Sequence, residues 1–453
     1  MKDFTEGKIG KQIMAFAMPM LIGQLFQQLY SFVDQIIVGR FLGKEALAAV
    51  GASFPIIFTL IALIVGIASG GTVVISQFFG AKNFEKVKRA IDTLFIILAG
   101  AAVLLTAIGI TFSEQIFTLI QLPPEILPQA NTYLTIYISG LFVFFGYNAI
   151  ASVLRGMGDS MTPLWFLIIA TVLNIGLDLL FILVFKMGVA GAAIATVISQ
   201  GVAFVVAVIY LNKHHPVIKF NIRDFSFDRE IFRQSIRIGL PTGLQQTFVA
   251  VGMLALMGIV NTFGTDVVAA YTAAGRIDSL AVIPSMIFSQ ALSTFVGQNI
   301  GANRIERVSS GMWKTMIMSY AIALVMTLVI IVLKKPLMGM FTEDADVIRI
   351  GGEYLTIVSS FYLFFTTMFI LNGVMRGAGD TLVPMFFSLF SLWIIRIPVA
   401  YFLSRHIGEA GIWWSIPVGW GAGMVLQILY YRMGLWKRKS VVRPEILAED
   451  LPD

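Results

Sequence analysis

The sequence predicts an all-α polytopic membrane protein: twelve transmembrane helices in two six-helix bundles, related by a parallel internal repeat. Three observations carry that prediction. Hydrophobic residues make up 57% of 453 and charged ones 13%, with a mean hydropathy of +0.85, which is more apolar surface than a soluble fold of this size can bury. Apolar runs of about 20 residues recur, the length that crosses a hydrocarbon core about 30 Å thick, while the ~10-residue alternating segments of an outer-membrane barrel are missing. Finally, the second half repeats the first at an offset of 220 to 222 residues.

In chain order the spans fall at about 13–38, 46–79, 91–112, 131–154, 163–185, 189–211, 236–262, 267–300, 313–333, 353–375, 383–404 and 412–436. The second and eighth are long enough to tilt or to project beyond a bilayer. Ahead of the first, Met1 to Lys11 is a polar, mixed-charge lead without the pattern of a cleavable signal peptide. Sorting Lys and Arg by side tests the topology. With the amino terminus inside, 23 fall in inner segments and seven in outer ones, with Arg276 and Arg396 inside spans. That bias predicts both termini on the cytoplasmic side of the membrane. It also explains the net charge of +6 without nucleic acid, because the basic residues orient loops.

The repeat is read from matched residues. Gly43 and Ala48-Ala49 match Gly264 and Ala269-Ala270; Gln77-x-x-Gly80-Ala81 matches Gln298-x-x-Gly301-Ala302; Tyr133-Leu134-Thr135-Ile136 matches Tyr354-Leu355-Thr356-Ile357. Six spans per copy is an even number, so both copies enter the membrane from one side. The predicted organisation is an amino-terminal lobe, 1–212, a cytoplasmic linker, 213–235, a carboxyl-terminal lobe, 236–440, and a cytoplasmic tail, 441–453. A monomer is expected, since the repeat already supplies two bundles.

Within the first span, Gln24, Gln27, Gln28, Ser31 and Asp34 share an arc of roughly 120° on a helix. A carboxylate in hydrocarbon costs at least ~2.5–3.5 kcal/mol, so Asp34 is a candidate functional group and the Gln and Ser residues candidate cavity lining. Subtracting one repeat from the other isolates more. Asp34, Asn148, Asn174, Asp178 and Thr196 are polar in the first half and face apolar residues in the register of the second. Asn174 and Asp178 are four apart and share a helix face. Two carboxylates with amide and hydroxyl oxygens are hard ligands suited to H+ or Na+, and close carboxylates repel, so such a pair holds a proton or a cation between them. A purely structural role for each carboxylate is the alternative.

The second half carries its own charges, Arg276, Asp278 and Arg396. Arg276 and Asp278 point to different sides of a helix, which makes Asp278 with Arg396 the candidate structural pair, or Asp278 a negative charge for a cationic substrate. The turns Arg155-Gly156-Met157-Gly158-Asp159 and Arg376-Gly377-Ala378-Gly379-Asp380 read as helix end followed by helix cap, with Asp159 or Ser160 and Asp380 or Thr381 as caps. They lack the strand and the Lys of a phosphate-binding loop. There are no cysteines, and His214, His215 and His406 are read in loops, so no cofactor and no metal beyond Na+ is expected. With no His, Cys or Glu-rich constellation, an integral membrane enzyme has nothing to work with. The aromatic content of 12% and 21 Met residues suit a permissive cavity but also suit core and lipid contact.

The chain resembles the multidrug and toxic compound extrusion (MATE) family over its whole length. The match is carried by Pro19 and Asp34, then Val38-Gly39-Arg40-Phe41-Leu42-Gly43 and Ala46-Leu47-Ala48-Ala49-Val50-Gly51. It continues through Gln77 to Ala81, the Arg-Gly-x-Gly-Asp turn, Asn174 to Asp178, Gly188 to Thr196 and Gly297 to Ala302. The resemblance implies a V-shaped, two-lobed pump exporting cationic or amphipathic drugs against H+ or Na+, within the bacterial branch of the staphylococcal-type exporters. It assigns Asp34, Asn148, Asn174, Asp178 and Thr196 to the ion site and Pro19 to a bend in the first helix. Some members add acids in spans seven and ten; here span seven is uncharged and span ten has only Glu353 at its edge. The runner-up is a lipid-linked precursor flippase of related fold, which calls for a basic cavity where the spans offer only Arg276 and Arg396.

Overall fold

A computed structural model describes residues 2–214 and 222–442. Of the predicted linker, 215–221 with His215 and Lys219 lies outside the described residues, as does 443–453 with Arg443 from the tail.

The first repeat folds as α1 (Ile9–Leu42), α2 (Lys44–Gly80), α3 (Phe84–Leu119), α4 (Leu127–Ser139), α5 (Leu141–Gly156), α6 (Met161–Leu179) and α7 (Gly188–His214). The second follows as α8 (Arg229–Val260), α9 (Thr265–Gly301), α10 (Ile305–Gly339), α11 (Ala345–Ser359), α12 (Tyr362–Gly377), α13 (Leu382–Leu389), α14 (Ile397–Ile407) and α15 (Ala410–Met433). Among the described residues ten helices, counting α13 with α14 as one, are long and apolar enough to cross a membrane, and two bent pairs, each taken as one span, bring the total to twelve. Side chains left uncovered on these helices are themselves apolar, such as Val103 and Leu104 on α3 or Leu328 and Val332 on α10, as lipid contact requires. The second and eighth spans are each 37 residues, about 55 Å at 1.5 Å per residue, as their sequence length predicts.

Spans four and ten depart from expectation. Each was read as one helix, and each is two, bent by 48° between α4 and α5 and by 49° between α11 and α12. The first break falls at Gly140, where a Cβ would meet the Val197 side chain at 2.4 Å, so α7 occupies the space a side chain needs. Phe361, 221 residues on, marks the second. The histidines also differ from expectation: His214 and His406 lie in the last turns of α7 and α14, exposed, with Nδ1 of each at hydrogen-bonding distance from the carbonyl four residues before it.

By packing, the chain divides into one unit of residues 1–2 and 18–243 and a second of 3–17 and 244–453. This cuts differently from the repeat, because α1 belongs to the second unit up to Ala17 and to the first from Met18, while α8 belongs to the first up to Gly243. Pro19 and Pro241 stand one and two residues from these crossings, each inside a helix that continues through it.

The repeated Arg-Gly-x-Gly-Asp turn is built as its sequence suggests in the first unit, between spans four and five. Gly158 has φ 82°, a left-handed value that glycine takes without strain, and Asp159 Oδ1 accepts from the N–H of Met161 at 3.1 Å and Thr162 at 3.0 Å, capping α6. In the second unit Gly379 repeats the conformation, at φ 91°, but Asp380 instead takes a hydrogen bond from the Tyr430 hydroxyl.

Candidate functional site

Inside the first unit, α1, α6 and α7 bring Asp34, Asn174, Asp178 and Thr196 together. Asn174 and Asp178 are one helical turn apart on α6 and buried. With its amide oriented to satisfy both ends, Asn174 donates to Asp178 Oδ2 at 2.8 Å and accepts from the Thr196 backbone N–H at 3.2 Å, tying α6 to α7. The α-helix gives way immediately after Asp178 to a π-helical turn, Leu180–Val184, the kind of local widening that frequently sits at functional positions. The Asp34 and Asp178 carboxyl groups lie within hydrogen-bonding reach of each other. One oxygen of each, Oδ1, is buried without a partner in the protein.

Asn148 makes its hydrogen bond within its own helix. It lies on α5, beyond the break in span four, and its Nδ2 donates to Phe144 O, 2.8 Å away. On α1, Gln24 and Ser31 are half-buried, whereas Gln27 and Gln28 are exposed. Three tyrosines that the sequence reading passed over complete the site. The Tyr30 hydroxyl is 3.4 Å from Thr196 Oγ1, and Tyr133 and Tyr137 on α4 lie within electrostatic reach of Asp34, their rings stacked at 6.3 Å. The available signals were spacing, with Tyr30 one turn before Asp34 and Tyr133 one turn before Tyr137. Subtracting the repeats hid Tyr133, because Tyr354 matches it.

The second unit holds a different polar cluster within its aromatic core. Asp278 on α9 accepts from the Tyr362 hydroxyl at 2.8 Å and from Tyr354 at 3.5 Å. Tyr354 packs edge-on against the fully buried Trp413 at 5.1 Å, and Trp413 stacks on Tyr271 at 5.7 Å. Arg396 ends a π-helical segment, Phe390–Arg396, and is 7% exposed with its Nε unpartnered. It acts on Asp278 through space but makes no ion pair with it among the described residues. The expected Asp278–Arg396 contact is therefore replaced by tyrosine hydroxyls, which satisfy the carboxylate at close range and leave the guanidinium farther off. Arg276 is exposed and stands outside this cluster.

These features define a multi-pass membrane protein built from a duplicated six-span unit, with a carboxylate pair that, among the described residues, stands in one copy. The MatE family model matches residues 19–180 and 241–402, one match per repeat, and the chain belongs to that family. It is 36% identical over 439 residues to the probable multidrug resistance protein YpnP of Bacillus subtilis, covering 96% of this chain and 97% of that one. It is 25% identical over 421 residues to the multidrug export protein MepA of Staphylococcus aureus, covering 92% of each. Among solved structures, an outward-facing multidrug resistance MATE family transporter of the MOP superfamily aligns with a TM-score of 0.89 at 26% identity, covering 96% of this chain and 98% of that one.

Proposed function

We propose that the protein is a multidrug efflux antiporter of a bacterial plasma membrane, exporting organic cations or amphipathic drugs in exchange for H+ or Na+, with both termini cytoplasmic. The names of its relatives as multidrug resistance and export proteins support the efflux reading. The observation that carries ion coupling is the Asp34–Asp178 pair, Asp178 buried and Asp34 half-buried, with Asn174 holding Asp178 against Thr196 and no counterpart among the described residues of the second unit. Two carboxylates side by side in a low-dielectric site repel, so a proton or a small hard cation stabilises them; loading and unloading that charge biases a two-state protein. Thr196 and Asn174 supply oxygens of the type Na+ accepts. Pro19 is the proposed bend, because it removes the bond that would otherwise close on the Ala15 carbonyl.

The test is transport in proteoliposomes with pH and Na+ gradients imposed separately. Export driven by one of them, and lost in Asp34→Asn with the protein still folded, is the expected result. A variant that exports normally would remove Asp34 from the mechanism.

A further inference from the structure

The segments just ahead of α1 and α8 are copies of one another, Asp3-Phe4-Thr5 and Asp224-Phe225-Ser226, at an offset of 221. Each packs in the unit built mainly by the opposite repeat: residues 3–17 are part of the second unit, and the segment before α8 is part of the first.

The first segment is clasped tightly. Phe4 is 0% exposed, its ring 5.1 Å from Phe16 and 6.0 Å from Phe295. Its N–H donates to Gln298 Oε1 at 2.9 Å, and its carbonyl accepts from Asn299 Nδ2 and Arg307 Nη2, each at 3.1 Å. Arg307 also donates to the Gly7 carbonyl at 3.2 Å and, through Nε, to Asn299 Oδ1 at 3.1 Å, while Arg304 donates to the Thr5 carbonyl. The second segment makes contacts of its own, with the Ser226 N–H and Oγ each 3.4 Å from Asp92 Oδ2. Phe225 is half-buried and stacks on Phe95 at 5.9 Å, and Asp228 N–H donates to Thr93 Oγ1 at 3.0 Å.

The two helices that follow differ in what they carry. From Met18 onward α1 is in the first unit and bears Asp34, whereas α8 beyond Gly243 has no ionisable side chain. Only α1 joins a clasp in one unit to a carboxylate in the other, along about 38 Å from Ile9 to Asp34 at 1.5 Å per residue. A helix transmits a displacement only when both ends are held. The clasp fixes the far end of residues 3–17, whose Ile9, Ile13, Phe16 and Ala17 are themselves buried, so a bend at Pro19 has a held end to act on in the second unit.

We propose that the Phe4 clasp is the anchor through which cation occupancy at Asp34 acts on the second unit, which makes Phe4, Asn299 and Arg307 positioning residues for coupling. This rests on the antiport reading. The rigid, multi-pronged Arg307 guanidinium holds two carbonyls and an amide at once, a geometry lysine cannot reproduce.

The test compares two transport modes of the full-length protein in proteoliposomes, with ethidium as the organic cation and rates normalised to folded protein. One is accumulation driven by an ion gradient; the other is ethidium counterflow with no ion gradient, which needs drug binding and alternation but not coupling. Phe4→Ala and Arg307→Gln are expected to lower gradient-driven accumulation at least tenfold while counterflow and its half-saturation stay within twofold. Phe4→Leu, which refills the apolar socket, restores accumulation; Arg307→Lys does not. Phe225→Ala stays within twofold in both modes, and Phe4→Ala added to Asp34→Asn changes nothing further. The proposal is overturned if the clasp variants keep gradient-driven accumulation, if they lose counterflow in the same proportion, or if Phe225→Ala uncouples as well. A wild type that performs counterflow but answers neither gradient overturns the antiport reading itself, and the clasp's coupling role with it.

Discussion

Gly70→Ala should destabilise the protein even though alanine is the better helix former. Within the first unit, α2 and the start of α8 cross at four glycines, Gly66 and Gly70 against Gly239 and Gly243, a pair of small-xxx-small motifs that lets two backbones approach closely. A Cβ on Gly70 would stand 2.3 Å from Ser235 O and 2.6 Å from Gly239 N, and one on Gly66 2.4 Å from Gly243 N. These obstacles are backbone atoms, so no rotamer change relieves them and the helices must part. Overpacking a well-packed site costs about 1–3 kcal/mol, and the absence of any yielding side chain places this case at the upper end. Helix propensity returns at most about 1 kcal/mol, so the net effect is about 2 kcal/mol unfavourable, more than tenfold in an equilibrium constant. Gly100→Ala on α3 is the control, because a Cβ there meets nothing within 4 Å and only the propensity gain remains. Thermal unfolding of the purified protein in detergent reads the difference as an apparent midpoint. Gly66→Ala and Gly70→Ala should lower it by several degrees, with Gly100→Ala at or above wild type. If the first two unfold with the control, the close crossing does not hold the unit together.

Asp178→Asn should match Asp34→Asn, losing ion-driven export while the purified protein stays monodisperse; retention of ion-driven export by either would break the pair into unrelated residues. Asn174→Ala removes the 2.8 Å donor from Asp178 Oδ2, worth about 1–3 kcal/mol for a buried group, and should shift the half-saturating cation concentration about tenfold or more in transport titrations. No shift would mean that Asn174 only packs. In the second unit, Tyr362→Phe deletes a 2.8 Å bond to a carboxylate and should cost about 1.5–3 kcal/mol, more than Tyr354→Phe, whose contact is 3.5 Å. Equal midpoints for the two tyrosine variants in thermal unfolding would argue against that ranking.

Span number, repeat and carboxylate pair were legible in the sequence because each leaves a local mark: apolar length, matched glycines, or an acid where its repeat partner is apolar. The bends in spans four and ten were not, since Gly140 looks like any helix glycine until α7 is placed with Val197 against it. Asn148 groups with the site by polarity, register and family resemblance, whereas on α5 its Nδ2 donates to its own helix. Arg396 and Asp278 were paired as opposite charges in apolar spans, but hydroxyls from Tyr362 and Tyr354 reach the carboxylate first, and nothing in the one-dimensional pattern ranks a tyrosine above an arginine. The Phe4 clasp escaped notice for a different reason: it is a short polar segment outside any span, and its meaning depends on Gln298, Asn299 and Arg307 nearly 300 residues away.

The two repeats begin from one scaffold and end with different charge, and that difference decides where coupling can reside. The first unit's site holds two carboxylates, and among the described residues no basic side chain acts on either. The second unit's cluster sets one carboxylate against one guanidinium, groups of opposite sign that act on each other through space. Each charge at bilayer depth costs at least ~2.5–3.5 kcal/mol, so a doubly negative site is far less stable empty than loaded, while a balanced one changes little either way. A cation therefore has large differential affinity to offer only in the first unit, and differential affinity is the quantity that shifts a conformational equilibrium. On the proposed reading, ion-driven work begins at Asp34 and Asp178. Arg396→Gln would then unbalance the second cluster without touching the first, and the ion stoichiometry of transport should be unchanged even where stability falls.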